Sequence, residues 1–163
     1  MPLKEAFLSV VIALAHLAPL QPASARPAGG SPYGQAHGRR QVKVYFYHEP
    51  GEHIDLSPVE RRVNAARPAR AAVEALLAGP MPEERRRGFD SLAGAAEFAV
   101  GSLKIAGGTA RVNFVASRTW PGWPGDLAPV RFKTAVELTL KQFPNVRRVI
   151  VSVNGDAKFA DER

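Results

Sequence analysis

The 163-residue chain contains no cysteine. No lipid can therefore be attached at a cysteine, no disulfide can form, and no thiol is available as a nucleophile. An exported domain without disulfides must rely on its own core, although a lack of cysteine does not by itself fix the redox compartment. The serines give no replacement nucleophile: Ser57, Ser91, Ser102 and Ser117 lie in no Gly-x-Ser-x-Gly elbow. Gly107-Gly108 has no P-loop lysine after it and reads as a turn. Long apolar runs are also missing. The longest, Ala6 to Leu20, is short for a membrane span and contains His16 and Pro19. Acidic residues are outnumbered 15 to 22 by Lys and Arg, for a net charge of +7.

Lys4, the apolar run and Ala23-Ser24-Ala25 have the pattern of a secretory signal over residues 1–25, with a small-x-small cleavage site. The expected address is the periplasm, the cell envelope or the exterior, with no transmembrane segment after cleavage and no lipoprotein anchor. At that address the positive charge suits anionic envelope polymers or lipid headgroups. It would suit nucleic acid too, but the address does not. Residues 26–41, rich in Pro, Gly, Ser and Arg, read as a flexible tether.

The clearest local signals lie in Pro68 to Gly88. Pro68 suits a first helical position. Ala69, Ala72, Val73, Leu76 and Leu77 then make one apolar stripe, and Gly79-Pro80 stops the helix. Pro82 opens a short second turn with Glu83 and Glu84 at its positive end, Arg85 to Arg87 at its negative end and Gly88 closing it. Val42 to Tyr47 alternates as a strand, His48 to Pro58 reads as a polar loop, and Val59 to Arg67 fits either a strand or the approach to the helix. Leu103/Ile105 and Ala110/Val112/Phe114 flank Gly107-Gly108 as a hairpin. A second main helix is expected over Val130 to Phe143 and a last strand over Arg147 to Val153, ended by Asn154-Gly155. The order β-α-β-β-α-β implies an α+β fold, a single compact domain with two main helices on one face of a small, mostly antiparallel sheet.

Pro68-x-Arg70-Ala71-Ala72-x-x-x-Leu76-Leu77-x-Gly79-Pro80-x-x-Glu83-Glu84 resembles the signature of the GerMN domain of sporulation and germination proteins. The VKVYFY strand, Gly88 to Leu92, Ala110 to Phe114, and Thr139-Leu140-x-x-Phe143-Pro144-x-Val146 running into Val149 to Gly155 extend the resemblance over about Gln41 to Lys158. It implies a domain over residues 42–158, followed by a short tail at 159–163. It also implies a binding or assembly module without catalysis or cofactor, docking on an envelope protein or on itself. Relatives often carry a lipid anchor and a second, immunoglobulin-like domain, neither of which is expected here.

Three sets of residues invite a functional reading. Trp120-Pro121-Gly122 and Trp123-Pro124-Gly125 put two indoles on stiffened turns. These can stack on sugars of peptidoglycan, anchor a partner, or fold down over the helix from Phe132 to Phe143, as is expected of at least one. Arg85, Arg86 and Arg87 with Arg147 and Arg148 are candidates for a basic patch toward anionic polymers, against the plainer reading of solvated helix ends. His48-Glu49-Pro50-Gly51-Glu52-His53 has the residue types of a metal site, but its histidines are five apart across a Pro-Gly turn. No helix can bring them to one face, so a solvated loop is expected and no metal is assigned. A wall hydrolase would require these residues to converge on a carboxylate such as Asp55.

Overall fold

The computed structural model describes residues 38–48 and 55–161. The expected signal segment, most of the expected tether, Glu49 to His53 and the last two residues of the tail lie outside them. Strand β1 (Arg39–His48) buries Val42, Val44 and Phe46 and turns Lys43, Tyr45 and Tyr47 to the other face, as the alternation requires. It begins earlier than the sequence suggested. Arg39 to Gln41, expected in the tether, pair with Arg62 to Asn64 of β2 (Asp55–Asn64). Residues 55–58, expected in a loop, are strand as well. Local propensity was ambiguous around Glu60-Arg61-Arg62, and the ladder to β1 decided it. Pro58 is tolerated because β2 is an outer strand, with no neighbour needing its missing donor.

Helix α1 (Pro68–Leu77) buries Ala69, Ala72, Val73 and Leu76, and α2 (Pro82–Arg85) follows across the Pro corner. Gly79 takes φ +79°, the left-handed conformation that lets the chain leave α1. A Cβ there would also lie 2.8 Å from Ser91 Oγ. Gly79→Ala is therefore expected to cost about 1–2 kcal/mol, measured as a lowered urea midpoint with an unchanged slope. A midpoint equal to wild type would refute this account of the corner.

A two-residue strand β3 (Phe89–Asp90) pairs with the end of β1, and the hairpin β4 (Phe98–Ala106) and β5 (Thr109–Ala116) turns at Gly107-Gly108. Helix α3 (Leu127–Lys141) starts three residues before the expected Val130. It carries the chain to β6 (Arg148–Val153), which lies parallel to β5. A parallel neighbour demands such a crossover, and the helix supplies it.

The α+β fold and its two main helices stand, but the strands divide. Instead of one small sheet there are two of three strands, β2-β1-β3 and β4-β5-β6. The first helix packs on β1, β2 and β4, and α3 packs on β1, β6 and α1. The helices thus span both sheets and close one core, with Phe46, Phe114 and Phe132 fully buried in it. Gln142, just past α3, makes the two sides meet. Its amide accepts from the Lys43 N–H at 2.7 Å and donates to the Lys43 carbonyl at 2.6 Å. A side chain thereby satisfies a stretch of β1 that β3 is too short to reach.

Candidate interaction surface

The tandem Trp-Pro-Gly loop leads into α3. Trp120 and Trp123 meet edge to face, 5.4 Å between ring centroids. Both pack on Phe98, at 5.1 and 5.2 Å, and Trp123 also reaches Phe132 at 5.5 Å and stacks on Phe159 at 5.7 Å. Each indole is half-buried. Of the readings open from the sequence, the fold adopts the inward one for both rings: they roof the aromatic core and leave only part of each ring to solvent. Gly94, at φ +77°, lets residues 92–95 pass beneath them, where even a Cβ would touch Phe98 and both indoles.

Beside this roof lies a pocket of about 260 Å³ lined by Tyr47, Leu92, Pro124, Asp126, Arg131 and Phe132, among others. The Tyr47 hydroxyl is buried there without a hydrogen-bond partner among the described residues. Burial pushes its pKa up, and the charge of Arg131, whose guanidinium lies 5.2 Å above the ring, opposes part of that rise. Tyr47 therefore stays a neutral phenol, able to donate and to accept one bond. Leu127, 61% exposed, belongs to the pocket lining, and Val130, 40% exposed, stands outside it. They are three apart on α3 and so share one face. None of Tyr47, Arg131, Leu127 and Val130 was singled out from sequence. The signal for the last two was faint: apolar residues that do not belong to the Phe132–Val136–Leu140 stripe.

The two arginine clusters do not form one patch. Arg85, Arg86 and Arg87 lie at the far end of β1, where His48 Nε2 hydrogen-bonds the Arg87 carbonyl at 3.0 Å. Arg87 also covers the Phe89 ring at 5.3 Å, and Arg85 donates to the Pro80 carbonyl at 3.1 Å. Arg147 and Arg148 stand at the opposite end, their backbone N–H groups donating to the Gly108 carbonyl at 2.8 and 3.0 Å. Phe143, three residues before Val146, carries Arg40 from the first residues of β1 over its ring. Some nine residues of strand, roughly 30 Å, separate the two ends. His48 itself stacks on Phe89 at 4.4 Å. The other members of its loop, Glu49, Glu52 and His53, lie outside the described residues. Among the described residues no three His, Asp or Glu side chains group as metal ligands, and no helix is long and apolar enough to cross a membrane.

The sequence model of the Germane family, described as sporulation and spore germination, matches residues 43–158. No curated protein sequence matches the chain. Among solved structures it is similar to the tandem GerMN domains of the sporulation protein GerM from Bacillus subtilis, with 22% identity and a TM-score of 0.56. That match covers 79% of this chain and 43% of the tandem protein, so the chain spans less than half its length. It is also similar to the first GerMN domain of the same protein, with 20% identity and a TM-score of 0.54, over 71% of this chain and 84% of that one. At these identities the likeness concerns the fold.

Proposed function

Because the chain belongs to the Germane family of sporulation and spore germination domains, we propose that it is an exported, non-catalytic interaction module of the bacterial cell envelope that docks on a protein partner through the first turn of α3. The observation that carries this reading is the exposure of Leu127 and Val130 on the first turn of α3, a helix whose Phe132 packs on Trp123. Large aliphatic side chains in that position gain by being covered. The neighbouring pocket offers Arg131 as a polar contact that would fix orientation. Export is part of the proposal and rests on the signal-like segment at residues 1–25.

Stacking on peptidoglycan sugars is the second reading. It asks for open indole faces, and here Trp123 gives a face to Phe159 while Trp120 presses on Phe98. The protein partner is therefore favoured over the glycan. A photo-crosslinking residue at Leu127, used in envelope extracts, separates the two. The expected result is a discrete protein adduct that Val130→Asp abolishes while circular dichroism and melting temperature stay those of wild type. Recovery of wall fragments alone, lost on Trp120→Ala/Trp123→Ala, would replace the proposal with the glycan reading. Recovery of the chain crosslinked to itself would make the partner a second copy.

A further inference from the structure

A second surface lies away from the Trp roof, at the other end of the molecule. Strand β4 is the outer strand of its sheet. Its hairpin closes on the pair Ala106/Thr109 around two glycines, so the pairs alternate from there. Lys104/Arg111 exchange both backbone bonds, whereas Ile105/Ala110 and Leu103/Val112 do not. The N–H and C=O groups of Leu103 and Ile105 therefore point away from β5, to the free edge. Two contacts confirm this parity. Val100, the next outward residue once the bulge at Gly101 is passed, offers its carbonyl to Arg70 Nη2 at 2.8 Å. Across the ladder, Phe114 offers its carbonyl away from β4, to the Asn154 N–H at 2.8 Å.

Beside this edge runs a groove of about 500 Å³. Its floor is apolar, made by Leu103, Ile105 and Phe143, and its rim carries Arg40, Arg67 and Arg70. Arg70 is half-committed to Glu74 at 2.7 Å. Arg40 and Arg67 are exposed and have no carboxylate partner among the described residues. Arg40 is held over Phe143 by its ring, 5.6 Å from the centroid. Arg67 sits at the start of α1, whose first turn holds no acidic residue and no side-chain cap.

We propose that this edge and groove bind an extended acidic segment of another protein, which adds as a strand beside β4. Its backbone would take the free groups of Leu103 and Ile105. Side chains on the groove side would lie on the apolar floor and bring carboxylates to Arg40 and Arg67. Charge selects this occupant. A second copy pairing through the same edge would set two arginine rims against each other. An anionic lipid surface has no strand to offer, and a flat surface does not fill a concave groove.

The test uses the full chain with 15N labelling and, as probe, a capped decapeptide in which every second residue is in turn Val or Glu, with Thr between, so that one face of the strand carries both. Expected are amide shifts centred on Leu103 and Ile105 and slowed hydrogen exchange of those two N–H groups. Affinity should fall about tenfold or more in Arg40→Glu/Arg67→Glu, both exposed positions. Val130→Asp should leave peptide binding unchanged, so this result is independent of the α3 surface. The proposal is overturned if the reversed-charge variant binds as tightly as wild type. It is equally overturned if the shifts appear without slowed exchange at 103 and 105, or if phosphatidylglycerol vesicles produce the same shifts and the peptide none. Should the double variant melt early, Arg67→Glu alone and the salt dependence of wild-type binding decide, with salt-independent binding counting against the proposal.

Discussion

Phe132→Ala is expected to destabilise the fold by about 3–5 kcal/mol, the cost of emptying a large aromatic site in a packed core. Phe132 is fully buried and, like Phe98 and Trp123, joins several rings of the aromatic cluster. Its ring centroid lies 5.0 Å from Phe114, 5.1 Å from Phe98 and 5.5 Å from Trp123. Few neighbours can relax into the space, because Trp123 is stiffened by the following Pro124 and stacked on Phe159. Urea unfolding measures the loss directly. Tryptophan emission gives a second readout, because opening the cluster brings water to Trp123 and shifts its spectrum to the red. Phe132→Leu, which refills most of the volume, should cost under about 2 kcal/mol. A loss below about 1 kcal/mol in the alanine variant, with emission unchanged, would mean that the Trp roof is not built on this residue.

Removing either member of the Arg61–Glu84 pair is expected to cost a comparable amount, about 3–5 kcal/mol, because the survivor stays buried without its counter-charge. The side chains are 8% and 9% exposed, and both guanidinium Nη atoms donate to the carboxylate. The pair ties α2 to β2, Glu84 also caps α2 by accepting the Met81 N–H at 2.7 Å, and Arg61 lies over the Phe46 ring. Glu84→Ala should lower the melting temperature by about 10 °C or more in a domain of this size. Replacing both partners, as in Arg61→Met/Glu84→Leu, should recover most of the loss, since no lone charge remains. If the double replacement is as unstable as Glu84→Ala, the lone-charge explanation is wrong.

The same pair sets a pH dependence. Burial alone would raise the Glu84 pKa. The hydrogen bonds from Arg61 and Met81, with the charges of Arg61 and Arg87, outweigh it and hold the carboxyl below its ordinary 4.5. The folded state thus binds the proton more weakly than the unfolded chain. Its stabilisation is fully present above about pH 5 and is lost as pH falls below 4.5 through the folded value. Denaturant midpoints between pH 7 and pH 3 should drop more steeply for wild type than for Arg61→Met/Glu84→Leu. Parallel curves would show that the pair is not the titrating element.

Much of this architecture could be read from the chain because its signals are local. The α1 stripe, the Gly79-Pro80 stop, the charge order of α2 and the Gly107-Gly108 hairpin each concern residues within a few positions of one another. So do the GerMN-like phrases that place the chain in its family. Strand β2 was only half legible. Glu60, Arg61 and Arg62 carry no strand preference, and the reason Arg61 can face inward lies 23 residues later at Glu84. The indoles were legible as a pair with two alternatives, and burial against Phe98 and Phe159, distant in sequence, chose between them.

The sequence by itself determined the helices, the hairpin, the α+β class and the family, since periodicity, turn chemistry and capping act over a few residues. Only the tertiary structure decided that the strands form two sheets bridged by helices, that the two arginine clusters lie at opposite ends, and that Tyr47, Arg131 and Leu127 line one pocket. The physical reason is the same in each case. Strand neighbours and surface patches depend on which distant segments meet when the core closes, and the free energy of that closure belongs to the whole chain rather than to any window of it.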